Sequence, residues 1–193
     1  MRLKADRKIS ARPDLHPAPG RTPMTARDLA YAGLFGAAAL LLPVIFHVLQ
    51  LGHALMPMYI PLAALPFLVR GRVAITTALL VPLLSGAVTG MPPFFPPIAP
   101  IMAMEMAFMS GLIAAGIRMR PSLAPLAILF PTLIAGRLLN FALSYGAALL
   151  LDLPPWFAAG LSFIAGWPGV ILMLIVVPPL VSVIGPAGMR SAR

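Results

Sequence analysis

The 193-residue sequence contains no cysteine, which excludes disulfides, thiolate metal sites and a cysteine nucleophile. Charge is scarce: 10% of residues are charged, five acidic and fourteen basic. The histidines, His16, His47 and His53, do not have an HExxH or related metal spacing. Asp6, Asp14, Asp28 and Asp152 form no cluster that would hold magnesium. No GxSxG surrounds Ser85, Ser110, Ser144 or Ser162, and the Gly-rich phosphate loop with its Lys-Ser or Lys-Thr is missing. These absences argue against an enzyme, a metal site, a resident cofactor and ATP hydrolysis by the chain itself.

Apolar residues are what the chain has in excess. They make up 60% of it, with a mean hydropathy of +0.96, too apolar for a soluble domain. At about 20 residues per crossing, the stretch from Leu29 to Ile184 has room for six or seven spans. Basic residues choose between these counts. Arg2, Lys4, Arg7, Lys8, Arg12, Arg21 and Arg27 precede the first apolar segment. Arg70 and Arg72 follow the second, Arg118 and Arg120 follow the fourth, and Arg190 and Arg193 close the chain. The connections around Gln50 to His53, Gly90 to Pro97 and Leu151 to Trp156 have none. Basic residues near segment ends resist translocation, so six crossings with both termini cytoplasmic are expected. The net charge of +9 is then a topology signal and a contact with anionic lipid, not a nucleic-acid surface.

The expected fold is all-α and integral to the membrane: a compact six-helix bundle over 29–185 with an outward-facing pocket. A disordered basic cytoplasmic tail over 1–28 precedes it, and a cytoplasmic tail over 186–193 follows. The expected segments run Leu29–Leu49, Leu55–Val69, Val73–Val88, Ile98–Ile117, Leu123–Leu150 and Trp156–Ile184. A cleaved signal peptide with Leu29–Leu42 as its core is the competing view. The long tail and the odd number of crossings that cleavage would leave count against it. In the first segment, Gly33 and Ala37 are four apart, as are Ala32 and Gly36. Such strips permit close helix approach, either inside the bundle or with another subunit.

Glu105 and Arg137 are the two charges inside expected segments, and their signs are opposite. Charges there are costly and face the bundle interior or each other. By helical rise Glu105 lies roughly 10 Å from the outer end of its segment, and Asn140 roughly 15 Å from that of the fifth. Trp167 lies at a similar level, and His47 is near the outer end of the first segment. Arg137, Asn140 and Ser144 share one helical face by their i, i+3, i+7 spacing. Two readings stand: a buried pair that fixes packing, or the polar floor of a pocket. The proline-rich run Gly90 to Pro97, with Met91, Phe94 and Phe95, is either an interfacial anchor or a lid. Gln50 to Pro57, with Gln50 and His53, is a second candidate cover.

Several runs together carry a family resemblance. They are His47…Pro57-Met58-Tyr59-Ile60-Pro61, Pro82-Leu83-Leu84-Ser85…Thr89-Gly90-Met91-Pro92-Pro93, Met104-Glu105, Gly136-Arg137-Leu138 and Gly166-Trp167-Pro168-Gly169-Val170-Ile171-Leu172. Over residues 29 to 184 the chain resembles the substrate-binding (S) component of an energy-coupling factor transporter. Where that pattern then carries a polar residue, often Gln, this chain has Met173. The resemblance implies a bacterial plasma (inner) membrane protein that captures a vitamin or related micronutrient near its outer face. It also implies a transmembrane coupling subunit, which would meet Gly33 and Ala37, and two cytoplasmic ATPases as partners. Glu105, Arg137, Asn140, Trp167, His47 and Met91 are the expected substrate-binding residues. The alternative is a non-transport integral membrane protein, either a scaffold or a lipid-facing enzyme.

Overall fold

The computed structural model describes residues 24–48, 56–152 and 166–185. Residues 1–23 of the expected 1–28 tail, the expected tail over 186–193, the connection at Gln50 to His53, and residues 153–165 lie outside the described residues. Among those described, the chain is helical and has no strand. Its α-helices are α1 (Ala26–Val48), α2 (Tyr59–Ala64), α3 (Gly71–Thr89), α4 (Ile98–Met119), α5 (Pro125–Leu150) and α6 (Trp167–Ile184).

Five of these helices, all but α2, are long and apolar enough to cross a membrane. Their outward faces are apolar as well: Leu34, Leu41, Val44, Phe130, Leu149, Ile171 and Ile175 are exposed. A chain that is apolar on both its inner and outer faces suits a bilayer rather than water, where exposed apolar surface of this extent is rare. The described bundle therefore has the character of a multi-pass membrane protein.

Helix α1 starts at Ala26, before the expected Leu29, because Thr25 and Asp28 close a cap. Thr25 Oγ1 accepts the Asp28 N–H at 3.2 Å, and Asp28 Oδ2 accepts the Thr25 N–H at 3.1 Å. This is the reciprocal arrangement of a capping box, with Asp in place of Glu. Asp28 also receives Arg70: Nε is 3.5 Å from Oδ2, and the Arg70 backbone N–H donates to Oδ1 at 3.4 Å. Residues 28 and 70 thus lie at the same end of α1, a helix about 35 Å long at 1.5 Å per residue. The chain leaves α1 at one end and is back at the other by Arg70.

That return is not made by the long helix expected over Leu55–Val69. Its described part is the six-residue α2 and a 3-10 turn over Leu65–Phe67. Pro66 supplies the physical reason: it has no N–H to offer the Leu62 carbonyl, and its ring crowds the turn before it. The Leu68 N–H instead bonds the Leu65 carbonyl at 2.9 Å, and Val69 follows at 3.1 Å.

Helix α2 is enclosed rather than exposed. Tyr59, Pro61, Leu62, Ala63 and Ala64 are all buried, and α2 packs against α1, α4 and α6. Around it, α1 packs on α3, α3 on α4, α4 on α5 and α5 on α6. The core combines Leu62 and Leu65 with Met106, Met109 and Ile113 of α4, Leu129 and Leu133 of α5, and Met173, Val177 and Val181 of α6. Met173 is fully buried in this core.

The two small-residue strips of α1 separate cleanly. Gly36 faces inward: a Cβ there would meet Val81 and Thr77 of α3 at 3.5 and 3.7 Å. Gly33 and Ala37 are exposed, and a Cβ on Gly33 would meet nothing within 4 Å.

Candidate functional site

Three helices bring buried polar groups together inside the bundle. Helix α4 contributes Glu105, fully buried. Helix α5 contributes Arg137, Asn140 and Ser144, whose shared face is the buried one. Helix α2 contributes Tyr59. Its hydroxyl donates to Glu105 Oε2 at 2.5 Å, and Asn140 Nδ2 donates to the same oxygen at 2.6 Å. The Ser144 hydroxyl in turn donates to Asn140 Oδ1 at 3.4 Å.

The other oxygen of Glu105 faces the cation. Arg137 Nη2 lies 2.5 Å from Oε1, and the guanidinium sits over the Tyr59 ring with its carbon 5.0 Å from the centroid. The contact is a close pair between two buried charges. Glu105 is therefore shared between two neutral donors on one oxygen and a cation on the other. Losing any one of the three leaves a buried polar group uncompensated.

Glycines create the room for Arg137. A Cβ on Gly136 would lie 2.5 Å from Met109 Sδ, so this position lets α5 approach α4 at the level of Glu105. A Cβ on Gly166, at the start of α6, would lie 2.8 Å from both Arg137 Nη1 and Met56 Cε. Met56 itself has a positive φ of 45°, a conformation L-residues seldom adopt outside functional or over-determined positions.

Arg137 also reaches a cavity of about 30 Å³ between α5 and α6, lined by Leu133, Ile134, Arg137, Leu138, Trp167 and Val170. Its lining presents only apolar surface, and its size is that of about one water-sized group, far less than the roughly 300–1,000 Å³ of a ligand pocket. Its rim, Ile134, Leu138 and Trp167, is exposed. Glu105 does not line it.

The expected site residues thus fall into groups. Glu105, Arg137 and Asn140 form one cluster, and Trp167 joins it through the cavity. Met91 does not belong to it. The Met91 carbonyl accepts the hydroxyls of Ser85 at 2.6 Å and Thr89 at 3.1 Å, while the residue is 59% exposed. The 91–97 run is also pressed onto α3, since a Cβ on Gly86 would lie 2.6 Å from the Pro92 carbonyl oxygen. This loop is pinned to the α3–α4 hairpin. The side chain of His47 lies outside the described residues, as do Gln50 and His53.

Tyr59 is the participant that sequence reasoning did not place in the site. The available signal was a lone tyrosine in an apolar run between Pro57 and Pro61. Gly166 and Met56 carry no such mark, because their role is only to approach Arg137.

Among the described residues, no group of three or more His, Cys, Asp and Glu side chains is placed to hold a metal. Comparison with protein families, with curated proteins and with solved structures finds no match to this chain.

Proposed function

We propose that this chain is the substrate-capture subunit of an energy-coupling factor type importer. It takes up a vitamin or related micronutrient from the outer side of a bacterial plasma membrane, and partner ATPases supply the energy. The observation that carries this reading is convergence. Tyr59, Glu105, Arg137 and the Gly166-Trp167 pair come from four separate runs that bear the family resemblance, and they meet around one guanidinium. Packing alone does not require polar residues from three segments to share one point inside an apolar bundle.

Two further observations support it. The return of the chain to Asp28 at Arg70 agrees with six crossings. Both termini and the Arg70–Arg72 and Arg118–Arg120 connections then share the cytoplasmic side. The exposed strip at Gly33 and Ala37 leaves a surface on which a coupling subunit can approach closely.

A second reading, a non-transport membrane scaffold, is favoured by one observation: Glu105 is fully buried and engaged by protein groups on both oxygens. Native mass spectrometry of protein purified in mild detergent separates the two. Capture predicts a stoichiometric small molecule that dissociates on collisional activation. Repeatedly bare protein that also retains no added micronutrient would favour the scaffold.

A further inference from the structure

The loop joining α3 to α4 lies at the end of that hairpin remote from its arginines. A Cβ on Gly71, the first residue of α3, would lie 2.7 Å from Ala114 Cβ near the end of α4. Arg72, Arg118 and Arg120 therefore belong to one end of the hairpin and Gly90 to Pro97 to the other. At 1.5 Å per residue, Thr89 is about 26 Å from Arg72 along α3, and Ile98 about 30 Å from Arg118 along α4. The hydrocarbon of a bilayer is about 30 Å thick. With the arginines reaching the headgroups on one side, the loop falls at the opposite edge of the hydrocarbon rather than in the water beyond it.

Its surface suits that depth. Between Arg72 and Arg118 the single charge is Glu105, which is buried. Leu80, Leu84 and Val88 form an exposed i, i+4, i+8 stripe along α3, and Met91, Phe94 and Phe95 follow it, exposed, past the helix end. The backbone of the loop is largely withdrawn from solvent bonding as well. Pro92, Pro93, Pro96 and Pro97 have no N–H. The Gly90 N–H donates to the Gly86 carbonyl at 3.0 Å, and the Met91 N–H to Thr89 Oγ1 at 3.2 Å. The Pro93, Pro96 and Pro97 carbonyls accept the N–H groups of Ala99, Ile98 and Ile101 at 3.0, 2.7 and 3.3 Å. Irregular backbone beside hydrocarbon is costly unless its polar groups are satisfied in this way. The N–H groups of Phe94 and Phe95 are left for headgroups or interfacial water.

We propose that Gly90 to Pro97 is a lipid anchor, seated in the interfacial layer of the bilayer with Met91, Phe94 and Phe95 against the acyl chains. Its partner is the bilayer itself, and the alternative role as a lid is set aside. A lid must swing, whereas this run is held by the Ser85 and Thr89 hydroxyls and packs closely on α3. Phe94 Cε2 lies 2.9 Å from where a Cβ on Gly86 would stand. The proposal rests on the multi-pass character of the bundle and is independent of substrate capture.

The absence of cysteine makes the test direct. Full-length protein carrying one nitroxide label, at Phe95→Cys, Met91→Cys, Leu84→Cys or Ser122→Cys, is reconstituted into vesicles of phosphatidylethanolamine and phosphatidylglycerol. Collision of the label with oxygen, which concentrates in hydrocarbon, is compared with collision with a water-soluble nickel chelate. Leu84 supplies the lipid reference and Ser122 the aqueous one. The oxygen-to-nickel ratios at Phe95 and Met91 should lie closer to that of Leu84 than to that of Ser122. A ratio at Phe95 like that of Ser122 would place the loop in water and overturn the anchor. A label shielded from both reagents would show the loop covered by protein, as a lid would be, and also overturn it. If Leu84 itself is open to nickel, the spanning arrangement fails and the anchor with it.

Discussion

Breaking the Glu105–Arg137 pair from either side should cost unequal amounts, and the double change should cost least. Glu105→Gln keeps the shape and still accepts from Tyr59 or Asn140, but strips the counter-ion from a cation that cannot deprotonate. Leaving a buried charge unpaired costs about 3–5 kcal/mol. Arg137→Met instead strands a carboxylate that keeps two donors and can take up a proton, so roughly 2–3 kcal/mol is expected. Removing both charges leaves an apolar contact with Gln hydrogen-bonded to Tyr59 or Asn140, at about 1 kcal/mol. The singles then sum to roughly 5–8 kcal/mol against about 1 for the double, a coupling of at least about 4 kcal/mol. For a chain of this length, each kcal/mol moves the melting temperature by about 2–4 °C. Glu105→Gln should therefore melt about 6–20 °C below wild type and the double variant within a few degrees of it. Fluorescence-monitored thermal unfolding in one detergent reads all four proteins. Additivity of the single changes to within about 0.5 kcal/mol would refute the argument.

Tyr59→Phe should cost about 1–3 kcal/mol by removing one of two neutral donors on Glu105; an unchanged melting temperature would detach Tyr59 from the network. Gly166→Ala should move Arg137, because the added methyl falls on Nη1 and Met56 Cε; a melting temperature unchanged from wild type would show that the guanidinium has room to spare. Gly36→Trp should destabilise the bundle by driving an indole into α3, while Gly33→Trp should leave its melting temperature near wild type and abolish uptake in cells with the complete importer. Equal destabilisation by both would place Gly33 inside the packing. Cysteines introduced at Asp152 and at Arg72 should label on opposite sides of the membrane with an impermeant thiol reagent in intact cells; labelling of both from outside would refute the proposed topology.

Much of this architecture was legible in the sequence, and the exceptions have a common physical origin. Long apolar runs between basic connections announce α1, α3, α4, α5 and α6 because burial in hydrocarbon demands length and little else. The second segment reads the same way, yet it forms a short enclosed helix. In water, the absence of a polar face marks a fully buried element. In a bilayer that mark disappears, since a lipid-facing helix and a wholly enclosed one are equally apolar. The Arg137, Asn140 and Ser144 face was legible because polar residues are rare enough in this chain for their spacing to stand out. What spacing along one helix does not give is which other helix answers it, so Tyr59 went unplaced. The inward orientation of Gly36 and the outward one of Gly33 were equally hidden, because the Ala32/Gly36 and Gly33/Ala37 strips are offset by one residue, about 100° around the helix, and look identical in sequence.

The enclosed α2 also has a consequence for the order in which this protein is made. The Tyr59 hydroxyl finds its acceptor on Glu105, 46 residues further along the chain. When the second segment first emerges from the ribosome, neither that carboxylate nor the α6 surface against which α2 packs has been synthesised. The six-residue α2, about 9 Å long, is too short to span hydrocarbon by itself. The docking of α2 is thus a late event of folding, completed only once α4 and α6 have been made and close around it.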